Sequence, residues 1–292
     1  MKPGFAAGLC GVALAFAVTS AQAAPIVFET SGADGASILG TVNDFRNALG
    51  ALNPNNPENF AGGRRQINWD AAPDAVSDPN PFPGDFFNAN FAPRARGIEF
   101  STPGDGFQLS STAASGEPVR FGRPTQFIPF SEERLFAPTG SNMTFVDFFN
   151  PADPDEQAFS TGLGIVFNDV DLAGATTLEL FDIDGNSLFA GDVLTSPDGG
   201  LSFLGVIFDE GELIAQAKIT TGNAILLSSG EFQPAPAPPR DAVVMDDFIF
   251  GEPVPISALA ISEPSSLVLL GSGIIFLGVT ALRRRRSRHP IT

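Results

Sequence analysis

Carboxylates and amides must supply the chemistry of this chain, because little else is available. Its 292 residues include no Tyr, one Trp (Trp69), one Cys (Cys10), one His (His289) and two Lys (Lys2 and Lys218). Cys10, Lys2 and His289 all lie in the end segments, so the body between has no thiol, no imidazole and a single amine. That removes imidazole general-base catalysis, thiol nucleophiles, disulfides and Cys/His zinc sites together. The most oxygen-rich set is Asn168, Asp169, Asp171, Asp246 and Asp247, all beside apolar runs. Hard oxygen donors of this kind suit calcium, which extracellular modules hold with Kd about 10⁻⁴–10⁻³ M. The same residues beside strands also serve as turn chemistry, and the sequence leaves both readings open. Asp182, Asp184 and Asn186 imitate part of a calcium loop but lack its Gly position and final Glu, so the Asp184-Gly185 step is read as a hairpin turn.

Trp69, in the run Arg64-Arg65-Gln66-Ile67-Asn68-Trp69-Asp70, is the one side chain suited to stacking strongly on a sugar ring. Arg65 and Asp70 would hydrogen-bond its hydroxyls. Ile67 and Trp69 equally alternate as inward-facing strand residues, and the absence of Tyr argues against a strong lectin. An enzyme would need a carboxylate pair, spaced about 5–5.5 or 6.5–9.5 Å apart for glycoside hydrolysis. No local motif names such a pair, and no catalytic residue is assigned.

The elements that must position these residues are mostly strands. Gly97–Ser101, Phe107–Ser110, Asn142–Phe149, Leu163–Phe167, Thr176–Phe181, Ser187–Ala190, Leu201–Phe208, Leu213–Thr220 and Val243–Phe250 lie between Gly, Pro, Asn and Asp turns. Leu213, Ala215, Ala217 and Ile219 alternate with Ile214, Gln216, Lys218 and Thr220, which predicts one dry face and one wet face. One helix is expected, capped by Thr41 and running from Val42 to Leu49 before Gly50. Residues 50–96 carry seven prolines and little periodicity, marking a functional loop or a wrapped edge. With 28 Phe as core filler, the expected fold is all-β, an antiparallel β-sandwich over residues 24–252.

The ends read as addresses. Residues 1–23 have a secretory signal pattern: Lys2, an uncharged run from Phe5 to Val18, and a small-residue cleavage site at Ala21-Gln22-Ala23. Residues 253–264 form a linker with Ser262-Glu263-Pro264. The uncharged stretch 265–282 would span about 27 Å as a helix, enough for a thin bilayer. The basic tail 283–292 begins with Arg283, Arg284, Arg285 and Arg286, which would stay cytoplasmic and leave the body outside.

Ser262-Glu263-Pro264-Ser265-Ser266-Leu267, the short Gly-containing apolar run and the Arg cluster together resemble the PEP-CTERM sorting tail, with Ser262 replacing the first Pro. The resemblance implies an exosortase as partner after export by the secretion machinery, with the apolar helix holding the protein in the membrane until that processing step. It further implies a Gram-negative bacterium that makes extracellular polysaccharide. Gly162–Asp171, the Asp182–Asn186 hairpin, the run 200–206 and Val244–Gly251 are similar to bodies found ahead of such tails, and the last of these resembles the closing strand of jelly-roll carbohydrate-binding modules. In those modules a structural calcium often lies near the strand ends.

Trimmed to residues 24–262, the chain keeps 10 basic residues against 32 acidic ones, a net charge of −22. Such a body repels phosphate backbones, so nucleic acid is excluded as a partner. The expectation is a surface or secreted structural component of a polysaccharide matrix. The alternatives are a carbohydrate-binding module using Trp69 and a carboxylate glycoside hydrolase.

Overall fold

The computed structural model describes residues 24–233 and 239–259. The expected signal segment, the Ser262–Pro264 motif, the apolar stretch 265–282 and Arg283–Arg286 lie outside them. Among the described residues, no helix is long and apolar enough to cross a membrane.

Among the described residues, fourteen strands form two seven-stranded antiparallel sheets. The first contains β1 (Ile26–Gly32), β2 (Arg64–Ile67), β4 (Gly106–Leu109), β5 (Phe136–Thr139), β8 (Gly162–Asn168), β11 (Leu201–Ile207) and β13 (Val244–Gly251). Its order is β1-β11-β8-β13-β5-β4, with β2 also paired to β13. The second contains β3 (Ile98–Ser101), β6 (Met143–Asn150), β7 (Asp153–Phe159), β9 (Thr177–Phe181), β10 (Ser187–Asp192), β12 (Gln216–Thr220) and β14 (Val254–Pro255). Its order is β10-β9-β12-β6-β7-β14, with β3 paired to β6. The all-β expectation holds. Leu163, Ile165, Phe167, Phe248 and Phe250 of the first sheet share one core with Ile98, Val146, Phe148, Leu178 and Ile219 of the second.

The sheets differ on their outer faces. β6, β9 and β12 alternate buried with half-exposed residues, whereas β8, β11 and β13 are buried throughout. The cover on the first sheet is α1 (Gly35–Leu49), whose Ile38, Val42, Phe45 and Leu49 pack on Val166, Phe203, Ile207 and Ile249. Gly164 and Gly205 are paired across β8 and β11 and make a flat window for Phe45. A Cβ on either would come within 2.6 or 2.7 Å of the Phe45 ring. The helix begins seven residues before the expected Val42, because Asp34 and not Thr41 is its cap: the Ser37 N–H donates to the Asp34 carboxylate at 2.9 Å. Gly35 and Gly40 are poor helix formers, and packing of Ile38 outweighs them.

Residues 50–96 are the irregular wrap the prolines announce, apart from β2 and one short 3₁₀ turn (Asp74–Val76). Trp69, Phe82, Phe86 and Phe87 enter the main core from this wrap. The sequence reading also omits β1, β5, β7 and β14. Just before β12, Ile214 and Ala215 are both buried, as Ala217 and Ile219 are within it, so the expected wet face begins only at Gln216. Lys218 faces Glu179 directly across β9 and donates to it at 2.7 Å.

Candidate functional site

Strand β13 contains a bulge. Met245 pairs with Phe167 and Phe248 with Ile165, so Asp246 and Asp247 together oppose Val166 alone. Both carboxyls are fully buried. Asp246 accepts hydrogen bonds from the backbone N–H of Phe130 (2.6 Å) and Ser131 (3.3 Å). Asp247 accepts from Ser131 Oγ (2.7 Å), Gln66 Nε2 (2.6 Å) and Arg46 Nη2 (3.0 Å). Burial pushes Asp246 well above the usual carboxylate range, and the charge of Asp247 adds to that. Burial also raises Asp247, while Ser131 and Arg46 pull the other way. The pair therefore favours one shared negative charge, answered by Arg46.

The remaining expected ligands hold the same loop. Asn168 accepts from the Ile128 N–H at 2.9 Å and donates to the Ile128 carbonyl, so both ends of its amide are engaged. Asp169 accepts from Gln126 Nε2 (2.6 Å) and from the Gly199 N–H (2.8 Å). Residues 126–131 are thus fastened by Asp169, Asn168, Asp246 and Asp247 in turn. This is the turn-chemistry alternative realised over a long distance in sequence. Four of the five residues grouped as calcium ligands share one loop as their partner.

Asp171 is the exception. It lies with Asp169 and Asp198 in a cluster whose carboxylate oxygens all fall within 4.8 Å of one another. Asp241 stands close by, accepting from the N–H groups of Asp171 and Leu172. Asp171 is pushed up to about 6, first by burial and then by Asp169, Asp241 and Asp198. Chemically the cluster can hold a proton near neutrality, or present oxygens to a hard cation. Asp198 was not anticipated; it arrives on the turn before β11, with no pattern linking it to residue 169.

The sugar-contact reading of Trp69, Arg65 and Asp70 requires correction. Trp69 is 1% exposed, stacks on Phe136 with centroids 4.2 Å apart, and donates its indole N–H to the Asp246 carbonyl at 2.7 Å. It has no free face for a ligand, and the core alternative is the one realised. Arg65 is fully buried and grips Glu252 with two 2.7 Å hydrogen bonds. Asp70 accepts from the Arg134 N–H at 3.2 Å, and burial raises it. Asp182 accepts from the N–H groups of Asp184 (2.9 Å) and Asn186 (2.8 Å), closing the turn between β9 and β10.

No family model matches the chain, and neither a curated protein nor a solved structure matches it.

Proposed function

We propose that this is an exported, non-enzymatic protein that serves as a structural or weak-binding component of an extracellular polysaccharide matrix. The observation that carries the reading is the order at the C-terminus: Ser262-Glu263-Pro264, an uncharged 18-residue stretch, then Arg283–Arg286. In this reading an exosortase recognises Glu263 and Pro264, and the arginines fix the orientation before processing. The position of the folded body supports it. Strand β1 starts three residues beyond the cleavage site expected after Ala23, and the last described helix (Ile256–Leu259) ends three residues before Ser262. A jelly-roll-like body is part of the same proposal, favoured by the way β8 to β13 pass between sheets: β8, β11 and β13 in one, and β9, β10 and β12 in the other.

The test is intact mass of the protein recovered from culture medium and from washed membranes. A species beginning at Ala24 and ending near Pro264 is expected in the medium. Recovery only of a membrane form retaining Arg283–Arg288 would contradict exosortase release. The calcium reading contracts to Asp169, Asp171 and Asp198. It requires a rise in melting temperature with millimolar calcium at pH 7, and an unchanged melting temperature removes it.

A further inference from the structure

Away from the fastened loop, two neighbouring cavities share Pro79 as a wall. The larger, about 610 Å³, is lined by Asp78, Glu117, Glu231, Phe121, Phe232 and Arg123, among others. The smaller, about 170 Å³, is lined by Asp105, Gln108 and Ser228 among its walls. Phe121 and Gly122 at the wall of the larger cavity take successive left-handed φ values of 55° and 71°.

Among the described lining residues of the two cavities, four carboxylates (Asp78, Asp105, Glu117 and Glu231) stand against one cation. Gln108 is 3% exposed; its Nε2 donates to Asp78 at 3.0 Å, while its Oε1 has no partner among the described residues. A buried amide oxygen left without a donor is costly, and a ligand donor would relieve it. Glu117 and Glu231 are exposed carboxylates on the larger cavity, which Asp78, the partner of Gln108, also lines. The one cation of the wall, Arg123, donates to Gln126 at 2.7 Å and lies over the Phe232 ring at 4.8 Å. A complementary molecule must bring several N–H or O–H donors, a positive charge and an apolar face for Phe121 or Phe232. A sugar bearing a free amine has all three.

We infer that these two adjoining cavities form a cleft that binds amino-sugar units, with Asp78, Glu117 and Glu231 of the larger cavity pairing with their ammonium and hydroxyl groups and Gln108 Oε1, on the smaller, accepting a further hydrogen bond. The inference rests on the matrix reading above and specifies its ligand class. The probe is a β-1,4-linked glucosamine tetrasaccharide, titrated calorimetrically at pH 6 and low salt against the protein trimmed to residues 24–262. A glucose tetrasaccharide and a galacturonate oligomer serve as comparators. We expect binding of the glucosamine tetramer that weakens with added salt, and at least tenfold weaker binding of both comparators. The double variant Glu117→Gln/Glu231→Gln, which changes only exposed groups, should lose at least tenfold in affinity with an unchanged melting temperature. Equal binding of the glucose tetramer, or full affinity in the double variant, would overturn the inference. Retention of the protein by native matrix without tetramer binding defeats the cleft alone. Tetramer binding with no retention by native matrix supports the cleft and defeats the matrix reading.

Discussion

The acids beneath residues 126–131 and the acids around the cleft are built in opposite ways. Asp246, Asp247 and Asp169 are buried, and each receives at least two hydrogen bonds from its own chain, at least one of them from residues 126–131. Glu117 and Glu231 are exposed on a cavity that adjoins the one lined by Gln108, whose buried oxygen has no donor among the described residues. A carboxylate whose acceptor sites are filled by its own chain works as a fastener. One whose sites face a cavity is available to a ligand. Proximity of acids in sequence therefore says less than what donates to them: the adjacent Asp246-Asp247 pair holds a loop, while Asp78, Glu117 and Glu231, spread over 150 residues, share one cleft.

The contrast is sharpest at the most fully answered acid. Arg65 and Glu252 are 0% and 1% exposed at their side chains and doubly bonded, so Arg65→Ala should cost about 3–5 kcal/mol by urea unfolding. A loss below about 1 kcal/mol would show that water reaches Glu252. Next, Asp246→Ala strips the Phe130 and Ser131 amides of their acceptor. A cost of about 1–3 kcal/mol is expected, with faster hydrogen exchange confined first to residues 126–131.

The third case lies between the two classes. Asp171 titrates near 6 in the folded chain, above its ordinary value, so the folded state binds its proton more tightly than the unfolded one. Its contribution is present at low pH and is lost as pH rises towards and through 6. Melting temperature followed from pH 4 to pH 7 should fall along that interval, and Asp171→Asn should flatten the fall and melt higher than wild type at pH 7. A variant that melts lower at pH 7 would mean the carboxylate is engaged as an anion. The smallest effect belongs to the open class: Glu117→Gln or Glu231→Gln alone should change stability by no more than about 0.5 kcal/mol.

Much of the fold was legible because the periodicities are clean. Leu201–Phe208 reads as a continuous apolar run because α1 covers the face of β11 that would otherwise be wet, whereas Val244–Gly251 reads as an apolar strand broken by Asp246 and Asp247, whose carboxyls the loop 126–131 answers. Strand β7, with the sequence Asp153-Pro154-Asp155-Glu156-Gln157-Ala158-Phe159, was invisible because its residues have low strand propensity and pairing with β6 and β14 imposes the conformation. The wrap 50–96 was recognised as irregular and the alternation of Ile67 with Trp69 offered core packing for the Trp, yet nothing in its pattern revealed that Phe82, Phe86 and Phe87 also enter the core from it. Among the sites, the oxygen-rich residues were found and their partners were not. Hydrogen bonds from residues 126–131 to Asp246 and Asp247 span more than a hundred positions, and such pairings leave no local trace. The cleft was missed for the same reason.

The division between fastening and ligand-facing acids is tested most directly by one thermal-shift series with the glucosamine tetrasaccharide at pH 6. Saturating tetramer should raise the melting temperature of wild type and of Asp246→Ala by the same increment, although the variant starts lower, and should leave Glu117→Gln/Glu231→Gln unmoved. The account is contradicted if Asp246→Ala, still folded, loses the increment, or if the double cleft variant keeps it.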